Sequence, residues 1–254
     1  DTRRKLKQVY HLVQFIEPLL QEVLDARGDV SLADHGAGKS YLGFILYDLF
    51  FKSKPVGWVY GVEARSELVE KSQALAQRLG FDRMRFLATT VQQALTHEDL
   101  PPTFDVVTAL HACDTATDDA IAFGLAKQAR FMVLVPCCQA EVAGVMRQHK
   151  ALNLSRTPLA ELWRHPLHTR EFGSQITNVL RCLQLEAHGY EVTVTELVGW
   201  EHSMKNELII ARRRAQPQLG QQARARERLQ AILDELGLQP LAARFGASAE
   251  ATAA

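Results

Sequence analysis

From residue 29 to residue 135 the chain alternates short apolar runs with segments of helix length, and this alternation restricts the fold more than any other feature. The apolar runs predict five strands, at residues 30–33, 56–62, 84–87, 104–110 and 131–135. Helices are predicted between them at 41–50, 66–79 and 118–128. Strands that alternate with helices pair in parallel through right-handed crossovers, which predicts an α/β fold. Such sheets bind ligands outside the carboxyl ends of their strands.

The flanking segments complete a three-part organisation. Residues 1–28 predict an N-terminal helical segment that Pro18 kinks or divides into two helices, and that Gly28 ends. In the central domain, residues 29–214, a helix at 175–187 precedes two β-rich runs at 191–197 and 207–211, which are close enough to form an antiparallel hairpin. The remainder, residues 215–254, predicts a C-terminal helix at 221–236 and a disordered tail from residue 247.

Composition excludes several classes of protein. The 254 residues carry 29 basic and 29 acidic side chains, so no overall charge marks a nucleic-acid binder. No apolar run reaches the ~18 residues of a membrane helix, and the N-terminus shows no signal-peptide pattern. Four cysteines, two of them adjacent, do not suit a secreted disulfide framework. We therefore expect a cytoplasmic protein.

The turn after the first predicted strand, Asp34-His-Gly-Ala-Gly-Lys-Ser40, allows more than one interpretation. As a phosphate loop, Gly38-Lys39-Ser40 matches the end of the motif G-x-x-x-x-G-K-[ST] and indicates a P-loop-like ATPase. That motif requires a glycine at position 33, which is alanine here, and Asp34 would bring negative charge to the phosphates. A plain tight turn between strand and helix is a second interpretation.

The third interpretation is a resemblance: Asp34-x-Gly36-x-Gly38 is similar to the first motif of class I S-adenosylmethionine-dependent methyltransferases. It implies that the glycine backbone approaches the methionine part of the cofactor, while Asp34 orients the loop and acts on the cofactor's amino group. Glu63, 29 positions further on, would accept hydrogen bonds from the ribose hydroxyls. Thr90 stands near the adenine contact, where such enzymes often carry an acidic residue. The implied fold is a Rossmann-like seven-stranded sheet, mostly parallel with an antiparallel last strand and with helices on both faces.

Histidine and cysteine follow the fourth and fifth predicted strands, as His111, Cys113, Cys137 and Cys138. A zinc site prefers two cysteines separated by two residues, so the adjacent cysteines argue against a metal, and none is predicted. A cysteine nucleophile is a second interpretation, because Pro136-Cys137 superficially resembles the Pro-Cys turn of pyrimidine C5-methyltransferases. A third is structural, since buried cysteines commonly act as small hydrophobes.

Leu-His-Ala-Cys at 110–113 and Pro-Cys-Cys at 136–138 extend the resemblance. Together with the glycine turn they look like the methyltransferase family that includes methyltransferase-like protein 25 and the glutathione-S-transferase C-terminal-domain-containing protein, over residues 3–212. The family's acceptor side would be lined by His111, Asp114, Pro136, Cys137 and Cys138. His111 is then the candidate general base, or a contact of the cofactor. The chain departs from the family at Ser40 and Asp114, where glycine is common.

Basic residues are concentrated at two places, Arg3, Arg4, Lys5 and Lys7 near one end and Arg212, Arg213 and Arg214 near the other. Residues 212–228 hold six arginines and one glutamate. Such patches suit RNA phosphates, although a solvated helix face is the common alternative. We predict an S-adenosylmethionine-dependent methyltransferase with RNA as the leading acceptor and protein as the second. A cofactor-binding module without turnover is the non-enzymatic alternative.

Overall fold

Seven strands form one mixed sheet in the computed structural model of the protein. The structure describes residues 2–110, 114–136, 139–148, 154–197 and 206–246, without the side chains of residues 2–7, 91, 92 and 155. The strands are β1 (Ser31–His35), β2 (Trp58–Glu63), β3 (Met84–Ala88), β4 (Val106–Leu110), β5 (Phe131–Val135), β6 (Tyr190–Glu196) and β7 (Glu207–Arg213).

The strand order, β3-β2-β1-β4-β5-β7-β6, confirms the fold class implied by the sequence. The first five strands pair in parallel, and β7 pairs antiparallel to β5 with Arg212 opposite Phe131. Beside β7 lies β6, and the backbone N–H of Leu197 donates to the carbonyl oxygen of Asn206 at 2.8 Å. The sheet grows from β1 in both directions, towards β2 and towards β4. Parallel sheets bind ligands at such a reversal of strand order, outside the carboxyl ends of the strands.

Eight α-helices surround the strands within the described ranges. They are α1 (Thr2–Arg27), α2 (Tyr41–Leu46), α3 (Ser66–Leu79), α4 (Val91–Thr96), α5 (Ala116–Ala126), α6 (Glu141–Gln148), α7 (Pro166–Ala187) and α8 (Leu219–Glu235). Short 3₁₀ segments lie at Leu154–Arg156, Pro158–Trp163 and Gln239–Phe245. None of the helices in this described part is long and apolar enough to cross a membrane.

The first helix is continuous, so the prediction that Pro18 divides it is wrong. Ile16 and Leu20, on either side of Pro18, are fully buried in the same apolar core. Burying side chains on both sides of the proline outweighs the backbone hydrogen bond that proline removes. The helix ends as predicted at Gly28, whose φ is 75°.

Two further helical segments differ from their predicted bounds. The α-helical part of residues 41–50 ends at Leu46 and continues as a π-helical turn, Tyr47–Phe51, in which Lys52 N–H donates to Tyr47 O at 2.8 Å. This turn buries three aromatic rings, and that of Tyr47 stacks on Phe81 with 4.4 Å between centroids. The helix predicted from residue 175 begins at Pro166, because proline at the first helical position is favourable.

The chain divides into two compact units. The first comprises residues 1–112, 119–136 and 193–212, and the second comprises residues 113–118, 137–192 and 213–254. In the first, the buried face of α1 joins a core with side chains of α2 and of six of the strands. In the second, α6, α7 and α8 share a core that includes Met146, Leu180 and Leu229. The domain boundaries at 28 and 214 stay predictions.

Arg83, just before β3, holds the loop that precedes β2, within the first unit. Its Nη2 donates to the carbonyl oxygens of Phe51 at 2.8 Å and Lys54 at 2.6 Å. Its Nη1 donates to the carbonyl oxygens of Gly57, at 2.9 Å, and of Val56. One guanidinium group therefore donates to four carbonyl oxygens, one at the end of the π-helical turn and three in the loop that follows it.

We expect Arg83→Met to lower the free energy of unfolding by about 2–3 kcal/mol, because several carbonyl oxygens lose a charged donor. Urea unfolding followed by circular dichroism measures the change. Arg85→Met is the matched control, since Arg85 is exposed and lies over the face of Trp58, 4.8 Å from the ring centroid. Its loss costs at most about 1 kcal/mol. Equal stability of the two variants would contradict the role given to Arg83.

Candidate functional site

The glycine turn folds over the end of the neighbouring strand. Gly36 and Gly38 have φ values of 66° and 57°, which favour glycine because side chains with a Cβ are strained there. The N–H groups of Gly36 and Ala37 both donate to the carbonyl oxygen of Val62, at 2.8 and 3.2 Å. The turn is thus fixed at the carboxyl ends of β1 and β2, where the sequence predicts a ligand.

Glu63 ends β2 and lies directly under this turn. Its carboxylate accepts from Gly38 N–H at 2.8 Å, and from the N–H and Nε of Arg65 at 3.1 and 2.8 Å. Burial alone would raise the pKa of Glu63, but the hydrogen bonds and charge of Arg65, with the bond from Gly38, leave that pKa below its usual value. Glu63 is therefore an ionised carboxylate held in a defined orientation, as the sequence prediction requires. Arg65, which the sequence analysis missed, supplies most of that stabilisation.

Asp34 is buried beside the same turn, with 2% of its surface exposed. The hydroxyl of Thr108, on β4, donates to its Oδ1 at 3.0 Å. Burial raises the pKa of Asp34 to about 7, and the nearby charge of Glu63 adds to the rise, although the Thr108 hydrogen bond opposes it. The Asp34 side chain thus links β1 to β4 at the reversal of strand order.

His35 is a residue of this region that the sequence analysis did not single out. It is the last residue of β1, it is 6% exposed, and its ring lies 5.4 Å from that of Phe123 between centroids. Burial lowers its pKa to about 4, so the ring is neutral at neutral pH. Neither ring nitrogen has a hydrogen-bond partner in the structure. Only its place between Asp34 and Gly36, at the end of a buried strand, marks it in the sequence.

Thr90 lies two residues beyond β3, at the same edge of the sheet. It is the N-cap of α4, and its hydroxyl and N–H both donate to Oε1 of Gln93 at 3.1 Å. Its side chain therefore has a local structural role. A contact between Thr90 and adenine stays a prediction.

Asp114 and Ser40, the two departures from the family resemblance, share one backbone feature. Both adopt the left-handed conformation, with φ of 51° and 52°. This conformation favours glycine, the residue that the resemblance implies at both positions. The carboxylate of Asp114 accepts from Ala140 N–H at 3.0 Å and Glu141 N–H at 3.4 Å, at the start of α6. A catalytic role for Asp114 stays a prediction.

The remaining acceptor-side candidates, His111, Cys137 and Cys138, lie outside the described residues, as does Cys113. Pro136, which precedes the two cysteines, is buried at the end of β5. Among the residues that the structure does describe, no group of three or more histidine, cysteine, aspartate or glutamate side chains could hold a metal ion.

The predicted basic ends have different surroundings. Arg212 donates to the carboxylate of Glu22 at 2.8 Å and lies over the ring of Phe131, 4.6 Å from its centroid. Arg214 lies 3.6 Å from the carboxylate of Glu191, and Arg213 also has an interaction partner. At the N-terminus, Arg3, Arg4, Lys5 and Lys7 belong to α1, but their side chains lie outside the described part.

The described residues fit a nucleoside that has free ribose hydroxyls and no phosphate. An ionised carboxylate such as Glu63 accepts hydrogen bonds from both hydroxyls of a ribose. Ribose would take positions now held by the Arg65 side chain, which is 63% exposed and can move aside. A phosphate would meet that carboxylate instead, because the Gly38 N–H that a phosphate loop directs at its ligand donates to Glu63. This geometry argues against the P-loop interpretation.

Several solved structures are similar to the chain in fold. The magnesium protoporphyrin IX methyltransferase of Synechocystis PCC 6803, with bound S-adenosylhomocysteine, is 15% identical, with a TM-score of 0.45 over 81% of this chain and 84% of that one. The precorrin-6y C5,15-methyltransferase of Geobacter metallireducens GS-15 is 16% identical, with a TM-score of 0.43 over 73% and 81%. An rRNA methylase of Streptococcus thermophilus is 10% identical, with a TM-score of 0.45 over 78% and 94%.

No curated protein sequence matches the chain significantly. A protein-family model does match, over residues 4–145, and that model is described as a methyltransferase domain. The match covers more than half of the 254 residues. The chain therefore belongs to this methyltransferase-domain family and is an S-adenosylmethionine-dependent methyltransferase.

Proposed function

We propose that the enzyme transfers a methyl group from S-adenosylmethionine to RNA. The observation that carries the choice of acceptor is the exposed arginine set on α8: Arg224, Arg226 and Arg228. Arg224 and Arg226 donate to the backbone carbonyl oxygens of Gly220 and Ala187, whereas Arg228 pairs with the carboxylate of Glu186 at 2.8 Å. The guanidinium groups of Arg224 and Arg226 have no carboxylate partner among the interactions of the described residues, and exposed guanidinium groups bind phosphates well. We also propose that the chain is a member of the family that includes methyltransferase-like protein 25.

The residues around the glycine turn would hold the cofactor. Glu63, which already accepts from Gly38 N–H, would accept the ribose hydroxyls, and the backbone of Gly36 and Gly38 would lie against the methionine part. Asp34, which Thr108 holds, would support the loop. When bound, S-adenosylmethionine supplies a methyl group on a positively charged sulfur. The protein's part is to align the acceptor atom with that methyl group and to exclude water.

On the acceptor side we propose His111 as the general base. A neutral imidazole takes a proton from an N–H or O–H group near neutral pH. Asp114 and Pro136 flank the segments that carry His111 and the pair Cys137 and Cys138. For the two cysteines the proposal keeps both roles, nucleophile and packing residue. A Cys137→Ser variant that keeps full activity would exclude Cys137 as a nucleophile.

The position of Arg212 sets a requirement on the RNA. Arg212 pairs with Phe131, the first residue of β5, whereas the cofactor residues lie at the carboxyl ends of the parallel strands. Five residues of strand separate these two edges by roughly 16 Å. An RNA that contacts Arg212 and also reaches the cofactor must therefore extend along the protein.

Removing charge from α8 is expected to weaken RNA binding. The double variant Arg224→Ala/Arg226→Ala should reduce the slope of log affinity against log salt by about 2, one for each lost phosphate contact. Fluorescence anisotropy with a labelled RNA, measured at several salt concentrations, gives this slope. Gln221→Ala/Gln230→Ala is the control, because it changes the same helix without changing its charge. Equal slopes in the wild type and the arginine variant would contradict the α8 contact.

The acceptor itself is tested with tritiated cofactor. The wild-type protein is incubated with total RNA and with a protein fraction, and each product is digested with ribonuclease or protease. We expect label that ribonuclease releases and that a Glu63→Ala variant fails to incorporate. Label released only by protease would overturn the RNA proposal and identify protein as the acceptor. Binding of S-adenosylhomocysteine with no labelling of either fraction would favour a cofactor-binding module without turnover.

A further inference from the structure

Arg181, in the middle of α7, is a completely buried arginine with 0% of its surface exposed. Its Nε and Nη2 donate to the two carboxylate oxygens of Asp118, at 2.7 and 2.8 Å. The Nη2 group also donates to the carbonyl oxygen of Asp114 at 2.8 Å, and Nη1 donates to Oδ1 of Asn178 at 3.1 Å. The guanidinium group therefore holds residues 114–118, at the start of α5.

The same face of α7 also holds Gln139. Asn178 Oδ1, which Arg181 contacts, also accepts from Nε2 of Gln139 at 2.9 Å. Oε1 of Gln139 in turn accepts from the Ser174 hydroxyl at 2.5 Å. Ser174, Asn178 and Arg181 are spaced by four and three residues, so they lie on one face of the helix.

Two further contacts join these segments to α6. The carboxylate of Asp114 accepts from the first backbone N–H groups of α6, at Ala140 and Glu141. At Gly173 the helices α6 and α7 touch so closely that an added Cβ would come within 2.6 Å of the Cβ of Ala143. The network thus joins residues 114–118 and 139–143 through one face of α7.

A buried ion pair adds little net stability to a folded protein. Desolvation of two charges costs about as much as their attraction returns, and apolar residues of similar size often stabilise a protein equally well. The charged pair adds a defined geometry, because a bidentate arginine fixes both the distance and the plane of its partner carboxylate. Here the fixed elements are Asp114 and Gln139, and each adjoins a segment that carries the acceptor-side candidates His111, Cys137 and Cys138.

We propose that Arg181, with Asp118, is a positioning residue for methyl transfer. It acts through Asp114 and Gln139, the described residues that follow the acceptor-side candidates in the sequence, and it does not itself touch the reacting atoms. The inference rests on the proposed function insofar as the candidates next to Asp114 and Gln139 form the acceptor side. It does not depend on which acceptor is methylated.

The test replaces the pair with apolar side chains. Arg181→Met alone leaves the Asp118 charge buried and unpaired, so that variant is expected to be unstable. The double variant Arg181→Met/Asp118→Leu removes both charges and should melt within about 5 °C of the wild type. Its affinity for S-adenosylhomocysteine should be unchanged, since no residue of the cofactor site is altered. Its kcat, with the acceptor that the wild type labels, should fall about 100-fold from misplacement alone.

Hydrogen exchange gives a second readout that needs no acceptor. In the double variant the amides of Ala140 and Glu141 should exchange about tenfold faster than in the wild type, because the Asp114 carboxylate is no longer held. Arg181→Lys keeps the charge but cannot make the bidentate contact, so it should restore only part of the activity and of the protection. Arg83→Met is the matched control, an arginine of the first unit whose loss should destabilise a loop of that unit without changing kcat.

Two results would overturn the positioning role: a folded double variant with wild-type kcat, or wild-type protection of the Ala140 and Glu141 amides. If the wild type methylates neither RNA nor protein, the proposed function fails and the positioning role fails with it, whereas the exchange measurement still shows separately whether Arg181 holds Asp114.

Discussion

Replacing Glu63 by alanine is expected to weaken S-adenosylhomocysteine binding about 100-fold, because two hydrogen bonds to an ionised carboxylate are lost at roughly 1.5 kcal/mol or more each. The carboxylate also orients the glycine turn through Gly38 N–H at 2.8 Å. Calorimetry on the wild type and the variant measures the change. Glu63→Gln should fall between the two, since an amide oxygen still accepts a hydrogen bond but carries no charge.

Glu67→Gln is the matched control for this result. Glu67 is exposed on the first turn of α3, four residues from Glu63, and removing its charge should leave the affinity unaltered. A thermal melt establishes that each variant is folded. Wild-type affinity in the Glu63→Ala protein would contradict the assignment of this carboxylate to the ribose.

Asp34 and His35 are expected to give opposite dependences of stability on pH. Burial raises the pKa of Asp34 from 3.8 to about 7 and lowers that of His35 from 6.5 to about 4. Each difference corresponds to about 3–4 kcal/mol of unfolding free energy. Both groups are more than nine-tenths buried, so solvent screens these effects little.

The signs of the two pH dependences follow from whether the folded or the unfolded chain takes up or releases the proton. Between pH 4 and 7 Asp34 ionises in the unfolded chain but not in the folded one, so its stabilising contribution is full at low pH and is lost as the pH rises through 7. Between pH 6.5 and 4 His35 takes up a proton in the unfolded chain but not in the folded one, so stability is lost as the pH falls. The two contributions largely cancel in the wild type.

Single variants separate these contributions. Relative to the wild type, Asp34→Asn should gain about 4 kcal/mol of unfolding free energy between pH 4 and 7. His35→Phe should gain about 3 kcal/mol relative to the wild type as the pH falls from 6.5 to 4. Urea unfolding at four or five pH values gives both differences. Curves for the variants that run parallel to the wild-type curve would show that neither buried group has the assigned pKa.

Much of the fold can be predicted from the alternation of apolar runs and helical segments, because parallel strands are buried on both faces and stand out as continuous apolar runs. The predicted strand at residues 131–135 and the helix at 66–79 match the observed bounds of β5 and α3. The start of α7 at Pro166 is missed because proline marks both a helix start and a break. The π-helical turn Tyr47–Phe51 is missed because its apolar pattern is that of an α-helix.

Site residues can likewise be predicted where local sequence patterns mark them, and cannot be predicted where contacts between distant parts of the sequence decide their role. Asp34, Gly36, Gly38 and Glu63 can be predicted, since each lies at or just beyond the carboxyl end of a strand and parallel strands end at one edge. Arg181 cannot, because its partner Asp118 lies 63 residues earlier and no local pattern links the two. His35 looks like a polar loop residue in the sequence, whereas the fold buries it against Phe123.

The most direct test of the central claim is calorimetry of the wild-type chain with S-adenosylhomocysteine and, separately, with magnesium ATP. The claim is that the glycine turn and Glu63 form a site for a nucleoside cofactor without phosphates. It predicts one binding site for S-adenosylhomocysteine, with micromolar or tighter affinity, and no heat of binding with ATP. Saturable binding of ATP without any binding of S-adenosylhomocysteine would contradict it.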